Sequence, residues 1–238
     1  MRRRTFVTTA GIVGAAALAG CATESNDDGD DNDNGDDNGG GATTPPEDRV
    51  DAPPHDPERP PRNEDEWDPH WLGAGMTTEP SLSFETVEAR LTDRRLGGPS
   101  DTDPEFAVTL VTTQEELSSR VDLAASGDRL ETVDFDAEAV VVVESGYGSS
   151  SIRHAWQRVE EVENGIHLHG YHVEPFVQTD DISRRHSIAV VETPLDGDDR
   201  AHVSLTYSGD WRANFDSTEG VVGVGSDDEP DTDTGPDY

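Results

Sequence analysis

The chain has 238 residues, with 52 Asp and Glu against 17 basic residues and a formal charge of −35. Every basic residue is arginine, which excludes Schiff-base chemistry and lysine-bound pyridoxal phosphate, and no basic stripe is present to neutralise nucleic-acid phosphates. The one cysteine, Cys21, rules out a disulfide framework and a multi-thiolate metal site.

At the N-terminus, Arg2-Arg3-Arg4-Thr5-Phe6 leads into a small apolar run that ends at Leu18-Ala19-Gly20-Cys21. Ile12 to Ala19 is too short to cross a bilayer as a helix. Arg3 and Arg4 before Thr5 and Phe6 resemble a twin-arginine export signal, whose substrates cross the membrane folded. Leu18-Ala19-Gly20-Cys21 resembles a lipobox, in which the cysteine is lipidated and becomes the mature N-terminus. Residues 1–20 are therefore expected to be a signal peptide and Cys21 the membrane anchor, with the protein facing the extracellular side. The acidic excess, spread over tails and domain without lysine, resembles the proteins of salt-in halophiles. At molar salt the Debye length falls to about 3 Å and such self-repulsion is screened.

Ala22 to Gly41 is almost wholly Asp, Asn, Gly, Glu and Ser, which cannot bury enough apolar surface to offset ordering. Pro45-Pro46, Pro53-Pro54, Pro57 and Pro60-Pro61 then stiffen the chain. Residues 21–65 are expected to be a disordered stalk, 66–225 a single β-rich domain with its margins, and 226–238 a second disordered acidic tail. Within the domain, Ser81 to Val87 alternates as a half-buried strand, and Phe106 to Val111 is a second. Thr112 or Thr113 can cap a short helix over Gln114 to Val121, with Glu115 and Glu116 in its first turn. Ala139-Val140-Val141-Val142-Val143 reads as a strand buried on both faces. Asn164-Gly165 predicts a hairpin joining Trp156–Val162 to Ile166–Val173. Ser187 to Val191 and Ala201 to Tyr207 complete about seven strands and one helix. The fold class is mainly β (α+β in detail), a small sandwich or rolled antiparallel sheet.

The order of pieces is itself informative. Val111-Thr112-Thr113-Gln114-Glu115-Glu116-Leu117, Val133-Asp134-Phe135-Asp136, the valine strand, Gly146-Tyr147-Gly148, the hairpin and Ile188-Ala189-Val190-Val191-Glu192 follow one another. This resembles the PrcB C-terminal-like domain, named for a subunit of a bacterial surface protease complex. The chain departs from that pattern at Ser149-Ser150-Ser151, where a glycine pair and tyrosine are expected, and at Arg185-His186, near the usual proline. The resemblance implies an accessory, protein-binding role without catalytic residues.

Two constellations stand out. In His167-Leu168-His169-Gly170-Tyr171-His172, His167 and His169 share a strand face and His172 points to the other. An Asn164-Gly165 loop sets Glu160 opposite His169 and Arg158 opposite Tyr171, the latter as a cation–π pair. His167, His169 and Glu160 then form either a zinc or copper(II) site or an exposed face of paired His and Glu. Gly146 to Ser151 reads as a flexible turn without a nucleophile or phosphate-loop motif, and Tyr147, Ser149 and Ser150 are its candidate partner contacts. Trp67, Trp71 and Trp211 are expected to seal domain margins or mark a binding patch, and Trp156 to sit in the core. Together these features lead to a lipid-anchored extracytoplasmic binding or accessory protein that contacts another exported protein. It is expected to be no enzyme and to need no cofactor; the alternative is a metal-binding envelope protein.

Overall fold

The computed structural model describes residues 49–97 and 104–224. Arg3, Arg4, Phe6 and Cys21, the stalk up to residue 48 and the tail 226–238 lie outside the described residues. Among the described residues, no helix is long and apolar enough to cross a membrane.

The strands are β1 (Val50–Asp51), β2 (Phe84–Val87), β3 (Glu105–Val111), β4 (Ala139–Gly148), β5 (Arg153–Val162), β6 (Gly165–Val173), β7 (Ser183–Val191), β8 (Arg200–Thr206), β9 (Arg212–Asp216) and β10 (Val222–Gly223). They form two five-stranded sheets, ordered β1-β9-β8-β6-β5 and β10-β3-β4-β7-β2. The protein is a mainly β sandwich with short helices, as its alternation predicts. The expected rolled antiparallel sheet needs one amendment. β6 and β8 pair in parallel, because β7 crosses to the other sheet between them.

The two sheets meet through the inward phase of each strand. Val108, Val141, Val143, Ala189 and Val191 on one side pack with Val159, Ile166, Leu168, Val203, Leu205 and Phe215 on the other. Fully burying each large aliphatic is worth roughly 1.5–3 kcal/mol, so this layer dominates stability. The outward phase of the second sheet is buried as well. Val140, Val142, Ile188 and Val190 lie beneath Leu117 of helix α1 (Gln114–Arg120) and Leu130 of helix α2 (Asp128–Glu131). A continuous valine run suits this doubly covered position, since neither phase meets water. Of the two candidate caps, Thr113 is the one used. Its hydroxyl accepts from Glu116 N at 3.3 Å, while Glu116 Oε2 accepts from Thr112 N at 3.2 Å.

Order begins earlier in the chain than the proline content predicts. Val50 and Asp51 pair with Ala213 and Arg212 as an edge strand, and the segment expected as stalk up to residue 65 belongs to the described domain from Arg49 onward. The Arg59 guanidinium lies 5.7 Å from both the Trp67 and Trp71 ring centroids, and Trp67 Nε1 donates to Glu174 O at 2.7 Å. Proline here holds an extended strap against the sheet, where its missing donor costs nothing. Trp71 and Leu72 cover Tyr171 and Val173 on the outer face of the first sheet. Trp71 and Trp156 are buried and Trp211 packs partly buried against the core.

Gly146-Tyr147-Gly148 is not the flexible turn expected. It belongs to β4, with a bulge between Ser145 and Tyr147 that Gly146 accommodates at φ 36°.

Candidate metal centre

The β5–β6 hairpin turns through Glu163-Asn164, with Val162 paired to Gly165, one residue earlier than the expected Asn164-Gly165 loop. Only Asn164 among the two loop residues has a positive φ, at 63°. The register therefore shifts by two, which preserves faces. Glu160 lies opposite His167 and Arg158 opposite His169. A bulge at Gln157 separates Trp156 from Arg158, turning the indole inward to the core and the guanidinium outward. The register shift overturns the expected Arg158–Tyr171 pair, and with the bulge Tyr171 lies opposite Ala155, its hydroxyl meeting His70 Nδ1 at 3.0 Å.

On the outer face of the first sheet, beside the part covered by Trp71, Glu160, His167 and His169 converge. One ligand atom from each lies within 4.8 Å of the others. The two imidazole centroids are 3.9 Å apart. His169 Nε2 is shut off from solvent without a hydrogen bond, and Glu160 Oε2 faces it at 3.4 Å in poor alignment. Arg158 Nε donates to the other carboxylate oxygen, Glu160 Oε1, at 2.6 Å and leaves Oε2 available.

A hydrogen-bond relay fixes the first histidine. Asn214 Nδ2 donates to Asp51 Oδ1 at 3.2 Å, which orients its amide, and Ser204 Oγ donates to Asn214 Oδ1 at 2.6 Å. With the serine proton used, His167 Nε2 must donate across its 2.9 Å contact with Ser204 Oγ. The lone pair therefore sits on His167 Nδ1, in the manner by which outer partners set the tautomer of metal-binding histidines. Burial, reinforced by His169, holds His167 down to about 3. Burial and then Arg158 hold His169 down to about 4. Burial opposes the charge on Glu160, yet the Arg158 hydrogen bond and neighbouring charges keep its carboxyl below the ordinary range. At neutral pH the cluster is two neutral imidazoles and a carboxylate, the protonation states that a borderline-soft divalent ion requires.

The candidate partner loop is tied down. Tyr147 OH donates to Gly97 O and accepts from Arg184 Nε at 2.7 Å. Ser149 and Ser150 hydroxyls lie 2.9 and 3.2 Å from Thr179 Oγ1, and Ser150 N donates to Asp181 Oδ1 at 3.2 Å.

Sequence reasoning missed a second polar cluster, inside the sandwich. At one end of the valine layer the inward phase becomes Ser145, His154, His172 and Ser187. Trp156 Nε1 donates to Ser187 Oγ at 3.1 Å; Ser187 Oγ lies 2.8 Å from His154 Nδ1. Ser145 Oγ lies 2.7 Å from His154 Nε2 and 3.2 Å from His172 Nε2. An indole N–H only donates, so the protons run Trp156 to Ser187 to His154 to Ser145 to His172, with Ser187, His154 and Ser145 each giving one and taking one. Phase was the available signal: Ser145 continues Val141 and Val143, and His172 continues Ile166 and Leu168.

No protein-family model, curated protein or solved structure matches the chain.

Proposed function

We propose that this chain is a lipid-anchored extracytoplasmic protein whose domain binds a divalent transition metal through His167 Nδ1, His169 Nε2 and Glu160 Oε2. The observation that carries this reading is the convergence of three ligand atoms within 4.8 Å, one of them a buried imidazole nitrogen without a hydrogen bond. Zinc and copper(II) suit two imidazoles and a carboxylate; three protein ligands leave a position for water or a delivered group. Titration calorimetry of the full chain, stripped with chelator, is expected to give one equivalent of Zn²⁺ or Cu²⁺. The double variant His167→Ala/His169→Ala should lose at least about 100-fold in affinity, the upper range for losing supporting groups alone. Absence of uptake by the unaltered chain sinks the reading.

A protein-contact role is the second reading, and one feature favours it. Between β6 and β7, Phe176, Val177 and Ile182 are 42, 69 and 74 % exposed, an apolar group beside the anchored Ser149–Ser150 loop. With the resemblance to the PrcB C-terminal-like domain, this supports an accessory subunit docking on another exported protein. Cross-linking of the anchored protein at high salt should enrich one exported partner, and Val177→Asp/Ile182→Asp should abolish it. Equal capture by that variant would remove this surface from consideration.

A further inference from the structure

The polar end of the sandwich interior carries a site distinct from the metal centre. Arg185 lies on β7 opposite Ser145, in the inward phase shared by Ser187, Ala189 and Val191. Among the described residues its side chain makes no hydrogen bond and no ion pair, although a guanidinium carries five donors. Its Nε is closed off from solvent. A half-buried guanidinium whose enclosed Nε has no acceptor is costly in a chain that holds three acidic residues for each arginine or so, and it points to an acceptor that the fold itself does not supply.

The surroundings describe that acceptor. A cavity of about 340 Å³ opens between the sheets, walled by Arg185, His172, Glu105, Glu174, Phe106 and Tyr207. The volume falls in the range of small-molecule sites. The guanidinium is seated against Gly148, where a β-carbon would stand 2.9 Å from Cζ and closer still to Nη2. His172 ends the proton chain from Trp156 by accepting at Nε2, which leaves its proton on Nδ1 as a donor beside the Arg185 guanidinium. Glu174 acts on the charge of Arg185 without reaching ion-pair distance, and burial lowers the guanidinium pKa despite it. A donor wall and an acidic wall therefore face one cavity with a gap between them and aromatic rings alongside.

A simple anion entering this space would meet Glu174, and a simple cation would meet Arg185. We propose that the cavity binds a small zwitterion of the α-amino acid class. Its carboxylate is held by Arg185 and His172, its ammonium by Glu174, and its side chain by Phe106 and Tyr207.

The test uses the full chain in molar KCl. Thermal unfolding is first measured with each standard α-amino acid, and then L-phenylalanine or the best stabiliser is titrated by calorimetry. For phenylalanine the controls are hydrocinnamate, which lacks the ammonium, and phenethylamine, which lacks the carboxylate; another stabiliser takes its own deaminated and decarboxylated analogues. The amino acid is expected to bind and each singly charged analogue to bind at least about 100-fold more weakly, because buried charges are then left unpaired. Arg185→Met is expected to abolish binding without lowering the melting temperature, since the cation it removes has no partner in the fold. Glu174→Gln should narrow the gap between the amino acid and its carboxylate analogue, a change that a purely structural role would not produce. Three results each overturn the proposal: no stabilisation by any α-amino acid, equal binding of the carboxylate analogue to the unaltered chain, or undiminished binding by Arg185→Met.

Discussion

Between pH 6.5 and about pH 5 the unfolding free energy is expected to fall by about 3 kcal/mol through two histidines buried inside the sandwich that resist protonation while folded, with His167 and His169, also held low by burial, adding to the loss. Burial holds His154 down to about 3 and His172 well below its usual value, with Arg185 adding to both. Also near His154 is His186, whose ring contacts Ala89 O on the far face of β7. A histidine with a depressed folded pKa contributes fully above its unfolded value of roughly 6.5, and that contribution is lost as pH falls. The unfolded chain binds the proton and the folded chain does not, so each residue costs about 0.7 kcal/mol per pH unit at pH 6.5, rising to about 1.4 near pH 5. Two residues over one and a half units give the stated loss, a large part of the roughly 5–15 kcal/mol available to a domain. Carboxylates act in the opposite sense, since protonating 52 acids relieves repulsion, but they titrate mainly below this window and molar salt screens them. Urea titrations in molar KCl at several pH values read the slope directly. His154→Asn/His172→Asn should be less stable at pH 7 yet flatter with pH. A wild-type stability constant from pH 6.5 to about 5 would show that these rings are already solvated.

The parts legible in the sequence were those governed by local rules. Alternation located β2, the Asn-Gly turn located β5 and β6, a threonine cap followed by Glu115 and Glu116 located α1, and four consecutive valines announced a strand covered on both faces. The metal cluster was legible because the register error is even: a hairpin displaced by two residues keeps Glu160 on the face of His167 and His169. The bulge at Gln157 was not legible, since an inserted strand residue has no compositional mark, and it reversed the faces of everything N-terminal to it in β5. β1 was hidden among prolines, which speak against a central strand but not against an edge. The interior cluster went unread because its members come from four strands, β4 to β7, and only His172 was set on the face opposite His167 and His169. Phase outranks residue type here because hydrogen bonds among Ser145, His154, His172 and Ser187 satisfy the buried groups.

Gly165→Ala is expected to destabilise the domain by about 3 kcal/mol or more and to weaken metal binding in whatever fraction folds. Gly165 opens β6 at φ 143°, and a β-carbon there would stand 2.6 Å from Arg200 N and nearer still to Arg200 O. Those are backbone atoms of the neighbouring strand, so no rotamer change relieves the conflict, and the strain adds to a steric clash. The pair Gly165–Arg200 also begins the parallel ladder between β6 and β8, and Arg200 N donates to Asn164 O at 2.9 Å just beside it. Moving β8 outward displaces Ser204, which fixes the tautomer of His167, and moving β6 displaces both histidines relative to Glu160. Stability and site therefore depend on the same contact. Gly197→Ala and Gly220→Ala are the controls, because a β-carbon at either position meets nothing within 4 Å; both should change the unfolding free energy little. Asn164→Gly, which keeps the positive φ of 63° accessible, should also fold and bind metal normally. Denaturant unfolding with calorimetric Zn²⁺ titration of the four variants separates these outcomes. A Gly165→Ala protein as stable as Gly197→Ala would mean that the two strands do not approach at this point, and the register that assembles the His167–His169–Glu160 cluster would have to be fixed elsewhere.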